Sequence, residues 1–157
     1  MCLSLTGCGF KLRGTNSIPA EFQTIQLQGV SQYDPLYRAV KTKLHNHKVT
    51  VTEPEDPALP ILKLVKDNLE RRLLSLFATG QVAEYELVYT VTYVLIMPDA
   101  TDGEIFEFDI VREYQDDPNA VLAKSRELDL VMKEMRNQAA DKIIRQLANH
   151  SSQNPQQ

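Results

Sequence analysis

Alternation between apolar and polar residues predicts several β-strands in this chain. The longest such run covers residues 82–97, where one side is apolar or aromatic throughout and the other carries Glu and Thr before it turns apolar. A strand with this pattern has one buried face and one face that is wet for most of its length. Residues 104–114 repeat the pattern, and shorter alternating runs over residues 24–28 and 48–52 predict two more strands.

Two other stretches follow helical periodicity. Asp34 and Pro35 are typical of an N-cap and a first helical position, and the apolar residues after them recur at helical spacing over residues 35–46. Residues 119–149 contain neither Gly nor Pro and predict a long amphipathic helix, with Ser125 as the N-cap of an alternative second start. Its apolar stripe consists of Leu128, Val131, Met132, Met135, Ala139, Ile143 and Leu147.

Residues 61–78 fit either a helix or a strand by periodicity alone. Thr79 and Gly80, immediately before the longest strand, suit a hairpin turn and therefore favour the strand. Together these elements predict an α+β fold, with two helices packed on one face of a mixed sheet.

Length and composition fit one globular domain. The chain has 157 residues, of which 43% are hydrophobic and 24% charged, close to the averages for globular proteins. We expect a single domain over residues 24–149, a tether over residues 8–23 and a disordered polar tail over residues 150–157. The formal net charge of −4 argues against a nucleic-acid partner, because nucleic-acid-binding proteins present a basic surface.

Both cysteines lie within the first eight residues, where they cannot staple the fold. Leu5-Thr6-Gly7-Cys8 resembles the bacterial lipobox, in which a branched apolar residue and two small residues precede a cysteine that becomes acylated. We therefore predict Cys8 as the lipidation site, carrying an N-acyl diacylglycerol group. The alternative is that Cys8 is merely a small residue in a disordered leader.

The residues around the lipobox predict a location. Residues 1–7 are expected to be the remnant of a lipoprotein signal peptide, truncated because the usual basic and apolar segments are missing. Gly9 follows Cys8 where an Asp would favour retention in the inner membrane, by analogy with lipoprotein sorting in Gram-negative bacteria. We therefore expect a lipid-anchored protein on the periplasmic face of the cell outer membrane.

The sequence carries no catalytic or metal-binding motif. His45 and His47 lie two residues apart at a helix end, where their side chains do not face each other, and a third metal ligand is not signalled. Gly-x-Ser-x-Gly and Gly-rich phosphate-binding motifs do not occur. We therefore predict that the protein is not an enzyme, binds no metal and has no cofactor besides the lipid.

Several short motifs occur in an order and spacing that together resemble one known family. They are Gly80-Gln81-Val82-Ala83-Glu84-Tyr85-Glu86-Leu87, Asp117-Pro118-Asn119, Leu122-Ala123-Lys124, Met132-Lys133-Glu134-Met135, Ala139-Ala140 and, after the lipobox, Cys8-Gly9-Phe10-Lys11-Leu12-Arg13. From Leu5 to about Leu147 the chain resembles the LptE, or rare lipoprotein B, family of lipopolysaccharide-assembly lipoproteins. This resemblance implies two helices on a mixed, mainly antiparallel four-stranded sheet, with residues 61–78 as a strand.

The resemblance also implies a function. A member of this family plugs the lumen of the LptD β-barrel, helps the barrel assemble and binds lipopolysaccharide during its transport to the cell surface. Basic residues near the start of the second helix and at the hairpin tip are implicated in binding, and the first of these positions matches Lys124. At the tip this chain has Ala78, so Arg71 and Arg72 on the same hairpin are the predicted replacements.

Two alternatives remain open at the level of sequence. The protein could be a free periplasmic lipid- or glycan-binding lipoprotein without an obligate barrel partner. Ordinary solvated surface charge is an equal alternative for Lys124, and it is the favoured interpretation for Arg71 and Arg72.

Overall fold

The computed structural model describes residues 18–52, 56–98, 100–117 and 120–153. A short 3-10 helix, Ala20–Phe22, precedes two α-helices and five strands. These are β1 (Thr24–Gln28), α1 (Pro35–Asn46), β2 (Thr50–Thr52), β3 (Ile61–Leu76), β4 (Val82–Ile96), β5 (Glu104–Gln115) and α2 (Val121–Gln153). The predicted lipidation site, Cys8, lies outside the described residues.

The five strands form one mixed sheet in the order β2-β1-β3-β4-β5. β1 pairs in parallel with both β2 and β3, whereas the β3–β4 and β4–β5 pairs are antiparallel. The predicted fold class is therefore confirmed, but the number of strands is five and not four. The apolar–polar pattern together with the hairpin turn predicts all five strands, including the run at residues 48–52, whereas the resemblance implied four. β2 lies beside β1 in parallel because α1 makes the long crossover that a parallel pair requires.

The predicted strand at residues 48–52 is shorter in the structure, for a local reason. Lys48 adopts a left-handed backbone conformation with φ of 62°, which ends the turn that follows α1. The Val49 amide donates a hydrogen bond back to the Leu44 carbonyl at 3.0 Å, so Val49 closes the helix and pairing begins only at Thr50.

Residues 61–76 form a strand, as the hairpin turn predicted, and β3 and β4 make one long antiparallel hairpin. The Phe77 amide donates to the Gln81 carbonyl at 2.8 Å across the turn. Gly80 has a positive φ of 82°, a conformation that Gly adopts without steric cost. Beyond Lys66 most side chains of β3 are exposed on both faces, so this part of the hairpin extends past the core.

The core lies between one face of the sheet and the two helices. Leu87, Tyr89, Val91, Tyr93 and Leu95 point to that face from β4, as their alternation predicted, and all five are buried. They pack in one cluster with the apolar residues of α1 and with the buried part of the α2 stripe. Asp34 caps α1 as predicted, because its carboxylate accepts hydrogen bonds from the amides of Leu36 and Tyr37 at 2.8 and 3.3 Å.

Both ends of the domain differ from the predicted boundaries. Ile18 and Phe22 lie within the predicted tether, yet both are buried in the core, so the packed domain begins before residue 24. α2 is one continuous helix that runs to Gln153, so residues 150–153 are helical and Ser125 does not begin a second helix. Within the described ranges, neither helix is both long and apolar enough to cross a membrane.

Candidate functional site

The first turns of α2 lie over the outer part of the β3–β4–β5 sheet and leave a cavity of about 290 Å³ beneath them. We call this cavity the tip cleft. Arg71 of β3, Tyr85 of β4 and Tyr114 of β5 line it from the sheet, and Val121 and Lys124 line it from α2. It therefore contains two of the three cations predicted from the sequence.

Strand register places the sheet residues of the tip cleft on the helix-facing side. Tyr85 is paired with Tyr114, and Arg71 is paired with Leu87, which is buried beneath the helices. Since side chains on one face of a sheet recur at every second residue, Arg71 and Tyr85 extend the inward face beyond the closed core. Arg71 itself is exposed.

Lys124 is held in place by three contacts. The Tyr114 hydroxyl donates a hydrogen bond of 2.7 Å to the Lys124 backbone carbonyl. The ammonium group lies 5.2 Å from the centre of the Tyr114 ring, within reach of a cation–π interaction. It also forms a salt bridge of 2.9 Å with Glu127, and the Lys124 side chain is only 20% exposed. The hydrogen bond to Glu127 raises the pKa of Lys124 above its usual value.

Tyr114 connects the two cations of the tip cleft electrostatically. Burial raises the pKa of its phenol, whereas the positive charges of Lys124 and Arg71 act in the opposite direction. Both cations line the same cavity as the phenol. A negatively charged group bound in the tip cleft would therefore interact with two positive charges.

Acidic residues also line the tip cleft. Asp116 and Asp117 lie there, and Glu127 competes with any anionic ligand for Lys124. The Glu127 side chain is 50% exposed, and exposed salt bridges contribute little net free energy. A phosphate group, which carries more charge and three acceptor oxygens, is able to replace such a carboxylate.

Arg72 is separated from the other two cations by the sheet. It pairs with Glu86 in the strand register, on the open face that neither α1 nor α2 covers. Its guanidinium group contacts Glu70 at 3.0 Å and Glu86 at 3.7 Å. The hydrogen bond to Glu70 raises the pKa of Arg72 above its usual value. The structure thus brings Arg71 and Lys124 together and leaves Arg72 elsewhere.

Exposed apolar side chains lie beside the tip cleft. Val121 and Leu122 are exposed in the first turn of α2. Four large apolar residues at the outer end of β3 and in the hairpin turn are also exposed, namely Leu73, Leu74, Leu76 and Phe77. An apolar surface next to cations is suited to an amphiphile that carries both acyl chains and negative charge.

The open face of the sheet is polar along its middle. Thr90 and Thr92 of β4 donate hydrogen bonds to Asp109 and Glu107 of β5, at 2.6 and 3.0 Å. These cross-strand pairs lie at matching register positions and are exposed to solvent. This surface suits contact with water or with another polar surface.

Tyr85 and Tyr114 are members of the site that the sequence prediction did not include. Tyr114 follows Phe106, Phe108 and Ile110 at even spacing, so its inward direction was available from the alternation of β5. Its role beneath Lys124 was not, because that depends on the placement of α2. The two helix-end histidines, His45 and His47, are exposed as expected. Within the described residues, no group of His, Cys, Asp and Glu is arranged to hold a metal ion.

Comparison with known proteins gives a consistent result. The sequence model of the family described as "LptE: Lipopolysaccharide-assembly" matches residues 22–147. The LPS-assembly lipoprotein LptE of Photorhabdus laumondii is 37% identical over 147 residues, which cover 92% of this chain and 79% of that protein. The LPS-assembly lipoprotein LptE of Pectobacterium atrosepticum is also 37% identical, over 146 residues and with the same coverage.

Solved structures share the fold. The crystal structure of the rare lipoprotein B from Shewanella oneidensis superimposes with a TM-score of 0.76 at 39% identity, covering 83% of this chain and 97% of that one. The solution structure of a lipoprotein B from Nitrosomonas europaea gives a TM-score of 0.72 at 27% identity, covering 92% and 94%.

Proposed function

The chain belongs to the LptE family of lipopolysaccharide-assembly lipoproteins, and on this premise we propose that it acts in the outer membrane as a plug and assembly factor for an LptD-type β-barrel. In this proposal it is anchored through an acylated Cys8, binds lipopolysaccharide in the tip cleft and performs no enzymatic step. The family match supports the role in lipopolysaccharide assembly.

One observation carries the ligand part of this proposal. Arg71 and Lys124 lie far apart in sequence but line one cleft, which is bordered by exposed apolar residues. Lipopolysaccharide is an amphiphile that bears phosphate groups next to its acyl chains. Charge-assisted contacts from Arg71 and Lys124 would hold the phosphates, while the apolar rim would accept part of the acyl chains.

The shape and surface of the domain support the plug role. A plug must be rigid, and the long β3–β4–β5 sheet backed by two helices provides a single packed body. It must also tolerate a hydrated barrel lumen, and the polar open face of the sheet with its Thr–carboxylate pairs suits that environment.

The barrel and lipid parts of the proposal are tested by one purification. The chain is expressed behind a complete lipoprotein signal peptide, purified from outer membranes in mild detergent, and the intact masses of all co-eluting species are measured. A stoichiometric large barrel protein together with a triacylated Cys8 is the expected result. Acylated protein that elutes alone would favour the free lipid- or glycan-binding lipoprotein.

The ligand part is tested with substitutions at neighbouring residues. Arg71→Glu and Arg72→Glu are a matched pair, because both side chains are exposed and carry the same charge but lie on opposite faces of the hairpin. We expect Arg71→Glu and Lys124→Glu to weaken lipopolysaccharide binding by about tenfold each, and Arg72→Glu to leave it unchanged. All three should unfold at nearly the wild-type temperature, since none fills the core.

An equal loss of lipopolysaccharide binding in all three variants would contradict the tip cleft as the binding site, because it would indicate a general effect of net charge. Unchanged binding in Lys124→Glu would remove Lys124 from the site.

A further inference from the structure

The net charge of −4 conceals a strong division of charge between the two layers of the fold. We define the helix layer as residues 35–48 and 121–153, which contain ten Lys and Arg against four Asp and Glu. The rest of the chain from residue 18 onward contains five Lys and Arg against seventeen Asp and Glu. The helix layer is therefore basic by six charges and the rest of the chain from residue 18 onward is acidic by twelve, so the helix layer attracts partners of a different charge.

The positive charge of the helix layer converges on a groove between α1 and α2. The groove has a volume of about 310 Å³, with Arg38 and Lys43 on the α1 side and Lys133 and Arg136 on the α2 side. We call it the helix groove. Lys43 is already neutralised by Asp141, at 2.7 Å.

Arg38 and Lys133, the exposed cations of the helix groove, lack such compensation. Arg38 and Lys133 are exposed, and neither forms an ion pair with any residue that the structure describes. The Nε atom of Arg136 is buried and, among the described residues, has no hydrogen-bond acceptor. The positive potential of the groove is therefore available to an external group with negative charge.

The surroundings of the helix groove favour a polypeptide over a lipid. Among the described residues that line it, only Pro35 and Ala39 are apolar, and they offer little surface to acyl chains. Tyr33, which is 79% exposed, precedes Pro35 by two residues, and Leu130, which is 68% exposed, lies one helical turn before Lys133. Tyr and Arg side chains are enriched in protein–protein interfaces, where they surround or contact apolar residues.

We infer that the helix layer is a docking surface for a carboxylate-rich polypeptide segment, whose Asp or Glu side chains enter the helix groove between Arg38 and Lys133. This inference rests on the proposed function and deepens it, because it assigns the segment to the barrel partner. The acidic open face of the sheet would then remain toward water. Complementary charge of this kind guides association and fixes the orientation of the plug.

The test compares two charge reversals of equal size. Arg38→Glu with Lys133→Glu reverses the exposed cations of the helix groove. Lys63→Glu with Lys66→Glu is the matched control, since both lysines are exposed and lie opposite Val94 and Thr92 on the open sheet face. Wild-type and variant chains are purified from outer membranes at about 150 mM salt, near physiological ionic strength, and the amount of co-eluting barrel is measured.

We expect the helix-groove variant to retain about tenfold less barrel than wild type, and the control to retain nearly all of it. In a second arm, the lipid-free protein is mixed with fluorescein-labelled hexaglutamate and, separately, with phosphatidylglycerol vesicles. Binding of hexaglutamate should be lost in the helix-groove variant and kept in the control. Equal melting temperatures of the two variants establish that both are folded.

Three outcomes would overturn the inference. Equal recovery of barrel by the two double variants would show that the helix groove is not the contact. Binding of vesicles through Arg38 and Lys133, without binding of hexaglutamate, would assign the groove to lipid headgroups instead. If the wild-type chain recovers no barrel, the proposed function itself fails and the barrel is excluded as the partner. Binding of hexaglutamate would in that case show that the helix groove still accepts carboxylates, and loss of this binding would show that the groove fails as well.

Discussion

The buried hydroxyl group of Tyr89 provides the sharpest test of how the fold is held together. Tyr89 is only 1% exposed, and its hydroxyl donates a hydrogen bond of 2.5 Å to the Asp67 carboxylate on β3. The same phenol interacts with Arg136 of α2. A Tyr89→Phe substitution removes one oxygen atom, keeps the ring and leaves a half-buried carboxylate without its donor.

The expected cost follows from the charge of the partner. Net contributions of hydrogen bonds to charged groups are about 1.5–3 kcal/mol, whereas those between neutral groups are about 0.5–1.5 kcal/mol. Tyr93 is the matched control, because it is also 1% exposed, lies on the same face of β4 and donates to the neutral Gln146 amide oxygen at 3.1 Å. We therefore expect Tyr89→Phe to lower the free energy of unfolding by about 1 kcal/mol more than Tyr93→Phe does.

Urea denaturation of the lipid-free protein measures this difference, provided that the dependence on denaturant stays the same in all variants. A double-mutant cycle with Asp67→Ala isolates the pairwise term. If Tyr89→Phe costs no more than Tyr93→Phe, or costs the same when Asp67 is already Ala, the hydrogen bond is not the source of the stability and the argument is refuted.

Three further predictions follow from local geometry. Burial raises the pKa of Tyr89 above its ordinary value of 10.0. Ionisation of this phenol should therefore leave the free energy of unfolding unchanged below pH 10 and lower it as the pH rises further, and the fall should be less steep in Tyr89→Phe. Equal slopes of unfolding free energy against pH for the two proteins, measured by urea titration, would contradict this. A Cβ at Gly103 would lie 2.3 Å from a Val94 methyl carbon. Gly103→Ala should therefore lower the melting temperature by several degrees, measured by calorimetry. An unchanged melting temperature would show that the turn relaxes without cost. Glu127→Gln should remove the salt bridge to Lys124 and strengthen lipopolysaccharide binding. The binding titration that tests Lys124→Glu measures this change. Weaker binding would mean that the salt bridge holds Lys124 in the position that binds the ligand.

Local periodicity was sufficient to predict the elements that cross the core. The alternation in β4 and the apolar stripe of α2 each record a buried face in the order of the side chains, and Asp34 with Pro35 marks the start of α1. Such signals depend only on residues within the same element, so they are readable without a tertiary structure.

The periodicity of residues 61–78 was ambiguous because the outer part of β3 extends past the core. Past Leu69 only Ser75 of this strand is half-buried and the other side chains are exposed, so there is little buried side for a pattern to record. Its identity as a strand depends on pairing with β4 across the hairpin and therefore on Gly80 in the turn. The strand predicted at residues 48–52 is longer than β2, because Lys48 and Val49 complete the end of α1 and do not pair with β1.

The sequence by itself determined the family resemblance, the fold class and three candidate cations. Only the tertiary structure decided which of those cations belong together. Arg71 and Arg72 are adjacent in the chain, but successive side chains of a strand point to opposite faces, so one lies in the tip cleft and the other on the open sheet. Lys124 joins Arg71 because α2 packs across the sheet, and the same packing gathers the positive charges of two distant helices into one groove within an acidic protein.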